Sequence, residues 1–254
     1  VVVYTALRYT PPVQRLSFLP LFWQRVAVAA LSAACLAAAS FLFYTPFSQW
    51  FGQAYNQVEI WKDARTPFSS YFIHWGLFLV VIFGWLWWEI RDWMDSTPAT
   101  ALRKIYPYRG WIQAGFIVLF GLIVGSFLLK VQIVWLALPM AVSAGVLMLR
   151  PNWSDEKRFV SFLVGTALLL TMMVELIRLS GDIGRMNTVF KFYLQAWTLL
   201  SISAAAAFFW LLPAVQEKWK PGWQTAWQTT LTLLAAGALL FPLFGGFDKI
   251  RDRI

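Results

Sequence analysis

Residues 181–197 read GDIGRMNTVFKFYLQAW and lie between two long apolar runs. This polar segment holds one acid, two bases, two amides and four aromatic residues where a membrane helix should begin. Ionisable groups are costly at that depth, and where they occur they usually carry a function. The segment therefore divides two predicted spans and is the first place to look for a site.

The composition of the whole chain is typical of a membrane protein. Of its 254 residues, 59% are hydrophobic and 13% are charged, whereas soluble domains average about 25% charged residues. Seven continuous apolar runs approach the roughly 20 residues that a helix needs to cross a bilayer, and membrane barrels use shorter, alternating segments instead. The sequence thus predicts an all-α polytopic transmembrane helix bundle of about seven spans. These spans cover residues 26–44, 69–90, 112–129, 131–149, 159–177, 189–212 and 223–244.

The basic residues set the expected orientation. Twelve Lys and Arg residues fall in loops on one side of the spans and nine on the side of the polar segment. By the positive-inside rule, we expect a plasma-membrane protein with a cytoplasmic N-terminus and residues 182–191 outside. The net charge is +9, and the basic residues that cause it flank the spans. Anionic lipid headgroups, and not nucleic acid, are therefore the expected partners. The chain opens with Val1 inside an apolar run, and we expect residues 1–254 to be one transmembrane domain of a longer protein.

Small residues predict one close helix contact. Gly121 and Gly125 are four residues apart, as are Ala141 and Gly145 on the next span. This spacing is typical of membrane helices whose backbones approach closely.

The bases near the polar segment predict an anion site. Arg178, Arg185 and Lys191 converge if the chain folds back between spans five and six, and the planar fork of Arg suits phosphate. Asn187 and Gln195 would line the site with amides.

Asp182 allows several roles. It could orient Arg185, ligate a divalent cation or act as a base, which makes it a candidate catalytic or metal-binding residue. The alternative is purely structural, with Asp182 paired to Arg185 and Glu175 paired to Arg178 three residues along a helix. Asn187 or Thr188 would then cap span six. The residues alone leave these alternatives open.

Two strings resemble a known family. The sequence RMNTVFKFYLQAW at 185–197 resembles the signature of the "YYY" family, large bacterial and archaeal multispanning membrane proteins of unknown function that are grouped with the GT-C glycosyltransferase superfamily. Thr66-Pro67 and the sequence YFIHWGLF at 71–78 resemble the segment just upstream. The resemblance covers the downstream part of the family's membrane domain.

This resemblance implies a GT-C-like fold and a reaction. Such proteins are similar to enzymes that transfer a sugar from a polyprenyl-phosphate carrier at the external face, with Arg185 and Lys191 on the lipid phosphate. The superfamily's catalytic acid belongs to an early external loop, but the family's acidic and His-bearing upstream motifs do not appear between Val1 and Tyr44. The catalytic residue is therefore unassigned, and further membrane subunits or another part of the same protein are expected partners.

His74 supports a different function. It is the only histidine and lies within span two, where an imidazole can ligate a pigment. One alternative is therefore a non-catalytic accessory or scaffold subunit of an energy-transducing or photosynthetic membrane complex. A second alternative is a transporter, since helices broken at glycines are common in that class.

Overall fold

The computed structural model describes residues 11–12, 20–50, 57–101, 103 and 106–253. This part of the chain forms seven α-helices and one small antiparallel ladder, which confirms the all-α membrane bundle. The elements in chain order are α1 (Leu21–Trp50), β1 (Val58–Ile60), α2 (Phe68–Ser96), α3 (Arg109–Leu128), α4 (Val134–Met148), α5 (Asp155–Met173), β2 (Ile177–Leu179), α6 (Met186–Lys218) and α7 (Pro221–Arg251).

Five of these helices are long and apolar enough to cross a membrane, namely α1, α2, α3, α6 and α7. Helix α4 is apolar but has only 15 residues. Helix α5 has 19 residues, of which the first four, residues 155–158, are all charged. The expected number of about seven spans therefore exceeds what the described helices offer by length and composition.

The chain divides into two compact units, Val1–Asn56 and Gln57–Ile254. The described part of the first unit is mainly α1, whose surface is largely exposed and which has Pro46 near its end. The second unit contains all the other elements and the candidate sites. Its core lies where α2, α4, α5 and α6 pack together.

Tryptophans of α2 form the centre of that core. Trp75 and Trp85 are both fully buried, and the Trp85 ring lies 5.9 Å from Trp153 and 5.5 Å from Trp210. Aromatic pairs at such distances add stability beyond the area they bury. These contacts pack α2 against α6 and against the residues just before α5.

The expected close contact between α3 and α4 is wrong. A side chain added at Gly121, Gly125 or Gly145 would meet nothing within 4 Å among the described residues. Gly121 and Gly125 instead line an apolar groove of about 600 Å³ between α3 and its neighbours. Glycine spacing permits a close approach of two helices but does not enforce it.

Candidate functional site

The candidate site is assembled by the short ladder. Strands β1 and β2 pair antiparallel, with Glu59 opposite Arg178. The pairing continues on either side, because Trp61 N donates to the Leu176 carbonyl at 2.8 Å and Ser180 N donates to the Gln57 carbonyl at 2.8 Å. The ladder thus brings the segment before α2 against the connection from α5 to α6. Strands of three residues have no periodic sequence signal, so sequence reasoning missed them.

A buried ion pair lies at the centre of this end of the bundle. The Glu175 carboxylate is fully buried, and its Oε1 accepts from Arg185 Nη1 at 2.7 Å. The backbone N–H and the hydroxyl of Thr66 also donate to Glu175, at 2.8 and 2.6 Å. Arg185 Nη2 in turn donates to the Thr66 hydroxyl at 2.9 Å, and its Nη1 donates to the Val174 carbonyl at 2.8 Å. Thr66 therefore joins the two charged groups into one network.

Three buried polar atoms around this ion pair lack a well-formed hydrogen bond. Among the described residues these are Arg65 Nη1, Trp75 Nε1 and Tyr193 Oη. The Tyr193 ring lies 5.0 Å from the Trp75 ring, and its hydroxyl interacts with the side chains of Thr66 and Trp75. We call the set the Glu175 cluster; it consists of Arg65, Thr66, Trp75, Glu175, Arg185 and Tyr193.

Two guanidinium groups meet at the Glu175 cluster. Arg65 and Arg185 both interact electrostatically with Glu175, the single acid of the cluster, and Asp63 interacts with Arg65 from outside it. Burial lowers the pKa of the Arg65 guanidinium, and Arg185 lowers it further, while Glu175 raises it. Arg65, Arg185 and Tyr193 are only half-buried, so the cluster borders the protein surface. It can accept an anion that offers several oxygen atoms.

Arg178 has a different partner from the one expected. Its Nε and Nη2 bond Glu59 Oε2 at 3.0 and 2.8 Å, and its Nη1 donates to the Gly184 carbonyl at 3.2 Å. The expected pair of Glu175 with Arg178 is wrong, because α5 ends at Met173 and the chain is extended at Arg178. Residues 174–176 form a turn, so the helical spacing that would bring the two side chains together is lost before Arg178.

Glu59 is consequently held in its charged form. The Ser180 hydroxyl donates to its Oε1 at 2.7 Å, and Arg178 bonds its other oxygen. These hydrogen bonds lower the pKa of Glu59 below its usual value.

Asp182 caps α6. Its Oδ1 accepts from the backbone and side-chain amides of Asn187, at 3.0 and 3.1 Å. Its Oδ2 accepts from the backbone and hydroxyl of Thr188, at 2.8 and 2.7 Å. The expected pair of Asp182 with Arg185 is wrong, and so is the expectation that Asn187 or Thr188 supplies the cap. The carboxylate takes this role because Gly181 and Gly184 fold the turn back with φ of 80° and 61°.

The charge on Asp182 is stabilised by this arrangement. Burial raises the pKa of its carboxyl group, but the hydrogen bonds from Thr188 and Asn187 outweigh burial and the pKa falls below its ordinary value. In the described part of the chain, no three His, Cys, Asp or Glu side chains are grouped as a metal site. The geometry gives Asp182 a structural role and offers no support for a divalent cation.

The remaining candidates lie at the protein surface. Lys191 and Gln195 are exposed on α6, whereas Thr188 in the first turn of the same helix is buried. His74 is exposed on α2, and its ring lies 4.5 Å from the Trp75 ring and 5.8 Å from the Tyr193 ring. The structure thus brings Arg185 into the Glu175 cluster, and Asn187 onto Asp182, but not Lys191 or Gln195 into buried contacts.

Comparison with protein families matches residues 1–200 to the family described as uncharacterized membrane protein (DUF2298). The chain belongs to this family. It is a multi-pass integral membrane protein of a family whose function is unknown. No curated protein and no solved structure matches it. The match includes every residue of the Glu175 cluster, while α7 lies beyond it.

The DUF2298 chain also buries charge at the opposite end of α2. Glu89 is 4% exposed and accepts from Arg150 at 2.9 Å, from the Trp153 indole at 2.9 Å and from Lys157. Arg150 also bonds Asp92 at 2.7 Å. We call these five residues the Glu89 cluster. Sequence reasoning missed it, although an acid within the predicted span at 69–90 was the signal that could have found it.

Proposed function

We propose that this DUF2298 protein binds the phosphate of a polyprenyl-phosphate-linked sugar at the Glu175 cluster. We further propose that it acts as a GT-C-like glycosyltransferase at the external membrane face. The observation that carries the proposal is the set of three buried donors, on Arg65, Trp75 and Tyr193, that lack a well-formed hydrogen bond beside the Glu175–Arg185 ion pair.

Unpaired buried donors need an explanation in any protein. Each one costs about 1–3 kcal/mol relative to a donor that has its acceptor. A phosphate group offers several charged oxygen acceptors at once, and Arg binds phosphate with suitable geometry. Binding would therefore satisfy the donors and place a charged oxygen against the two guanidinium groups in a single event.

Arg185 can take part without releasing Glu175. Among the described residues it makes three side-chain hydrogen bonds, to Val174, Glu175 and Thr66. A guanidinium has five N–H donors, so donors remain for a ligand. Arg178, whose Nε and Nη2 bond Glu59, has the secondary role, and Lys191 would meet the ligand from the exposed side of α6.

Apolar side chains near the cluster suit a polyprenyl chain. Phe190, Leu194 and Trp197 of α6 and Ile73 of α2 are large, hydrophobic and exposed. They lie within the first turns of helices that begin at the cluster. A lipid whose phosphate reaches the Glu175 cluster would lay its hydrocarbon along this surface.

The proposal assigns no catalytic acid within the described residues. Asp182 accepts four hydrogen bonds from the start of α6, so its role is to position that helix. Glu59 is bound by Arg178 and Ser180. Glycosyl transfer would draw its catalytic group from another part of the protein or from a partner.

Native mass spectrometry of the purified protein tests the proposal. Undecaprenyl phosphate is the probe, and undecaprenol, which lacks the phosphate, is the matched ligand control. Tyr193→Phe removes the hydroxyl donor and Trp75→Phe removes the indole N–H donor. Each variant should bind the phosphate about tenfold or more weakly, as expected for the loss of a hydrogen bond to a charged group.

Trp85→Phe is the matched control variant. Trp85 lies on the same helix, is equally buried and also has an unpartnered indole N–H among the described residues, but it lies away from the cluster in the core. It should bind the probe like the unmodified protein. Equal binding of the alcohol, or unchanged binding by Tyr193→Phe and Trp75→Phe, would overturn the proposal. A purified protein that absorbs visible light would instead favour a pigment at His74.

A further inference from the structure

A groove lies at the end of the bundle opposite the Glu175 cluster. The groove has a volume of about 1010 Å³ and lies between α2, the end of α6 and the start of α7. Helix α2 has 29 residues and so spans about 43 Å, close to the full thickness of a bilayer with its headgroups. Because the Glu175 cluster lies at the start of α2, the two sites face opposite membrane surfaces.

The wall of the groove within the bundle is apolar. Leu79, Val80 and Phe83 of α2 line it, and Trp227 of α7 closes it on one side. The Trp227 indole fits against Gly84, where an added Cβ would lie 3.3 Å from Nε1. Gly84 therefore allows α7 to pack on α2 while the space beside them stays open.

The end of the groove toward the loops is basic. Arg91, Lys218 and Lys220 line it together with one acid, Asp95. Asp95 lies 3.6 Å from Arg91, in an exposed pair, and this leaves the charge of the two lysines uncompensated within the groove lining. Tryptophans surround this end, and the Lys218 ammonium lies 5.4 Å from the Trp88 ring centre.

This combination matches one class of ligand. An acyl chain fits an apolar wall within the hydrocarbon, lysines attract the phosphate of a headgroup, and tryptophans favour the headgroup level. We propose that the groove binds one anionic phospholipid, with its phosphate at Lys218 and Lys220 and an acyl chain along Val80 and Phe83. The site is independent of the proposed function, because none of its residues belongs to the Glu175 cluster.

The test uses the purified full chain in nanodiscs that mix phosphatidylglycerol with phosphatidylcholine. Native mass spectrometry counts the lipids that stay bound on release from the disc. We expect one retained phosphatidylglycerol for each protein. In Lys218→Gln/Lys220→Gln its affinity should fall about thirtyfold, since each base near a membrane surface contributes on the order of 1 kcal/mol.

Two further variants distinguish a specific lipid site from non-specific electrostatic attraction between the protein and anionic lipids. Lys249→Gln/Arg251→Gln removes the same charge from the last turn of α7, outside the groove, and should leave retention unchanged. Val80→Trp fills the apolar part without a change in charge and should displace the lipid. Equal retention of phosphatidylcholine would overturn the inference. So would full retention by Lys218→Gln/Lys220→Gln, or by Val80→Trp.

Discussion

The two ends of the second unit each bury a glutamate, but they differ in how many donors they satisfy. In the Glu89 cluster two acids face two bases, and among its described atoms no buried side-chain donor lacks a partner. In the Glu175 cluster one acid faces two guanidinium groups, and three buried donors lack a well-formed hydrogen bond. A complete network is best explained as structure, whereas unsatisfied donors gathered beside two guanidinium groups favour an anionic ligand.

Buried charge alone therefore does not identify a functional site. Both glutamates are costly to bury and both are paired. The distinguishing observation is the balance of donors and acceptors around each one. Variants of the two clusters should accordingly separate stability from ligand binding.

Glu89→Gln should have the largest effect on stability. It leaves Arg150 and Lys157 partly buried without their carboxylate, and removing one partner of such a pair costs about 3–5 kcal/mol. The free energy of unfolding in detergent, measured by denaturant titration, checks this value. Asp92→Asn is the control, because Asp92 is 46% exposed and should matter much less. Binding of undecaprenyl phosphate to folded Glu89→Gln should be unchanged. A loss of binding would contradict the assignment of the Glu89 cluster to structure and of the Glu175 cluster to ligand binding.

Glu175→Gln should destabilise the protein less than Glu89→Gln does, and it should strengthen the binding of undecaprenyl phosphate. Glu175 bonds one cation, Arg185, whereas Glu89 bonds two, so we expect a smaller loss of about 1–3 kcal/mol. Removal of the single acid of the cluster should also raise the affinity for undecaprenyl phosphate, because the phosphate no longer competes with a carboxylate. Titration with the lipid followed by native mass spectrometry checks the direction. Weaker binding would show that the cluster does not take an anion.

Asp182→Ala should destabilise the protein by about 1 kcal/mol, as expected for the loss of a helix cap. The pH dependence has a definite sign. The folded-state pKa of Asp182 lies below its ordinary value of 3.8, so its contribution is complete well above pH 3.8 and is lost as pH falls through the folded-state pKa. Unfolding curves from pH 6 to pH 3 should therefore converge for Asp182→Ala and the unmodified protein at the acid end. A constant difference across that range would contradict the assignment.

Much of this arrangement could be predicted from the sequence. Long apolar runs fix helices, because a backbone within lipid must satisfy its own hydrogen bonds. The polar segment does precede the start of α6, which Asp182 caps, although its expected pair with Arg185 does not form. The lengths of α4 and α5 were less predictable, since turns and charged first residues shorten the apolar part of each helix.

The pairing of charges could not be predicted from the sequence. It depends on where α5 ends and on a strand of three residues that pairs with a segment 119 positions away in the chain, as in the contact of Arg178 with Glu59. Local spacing suggested Glu175 with Arg178, but the ladder places Arg178 against Glu59, and Glu175 bonds Arg185 instead. Contacts of this kind follow from tertiary structure and have no local sequence signal.

Glu59→Gln tests that pairing and should have the smallest effect of the four. The Glu59 side chain is 43% exposed, and exposed ion pairs contribute little to stability. We expect a slight fall in melting temperature that shrinks further at high salt, because salt screens exposed charges. Arg178→Gln should have the same slight effect, and the double variant should be no worse than either single one if the two side chains act only through each other. Additive losses would mean that the two side chains stabilise the fold separately, Arg178 through the Gly184 carbonyl and Glu59 through the Ser180 hydroxyl.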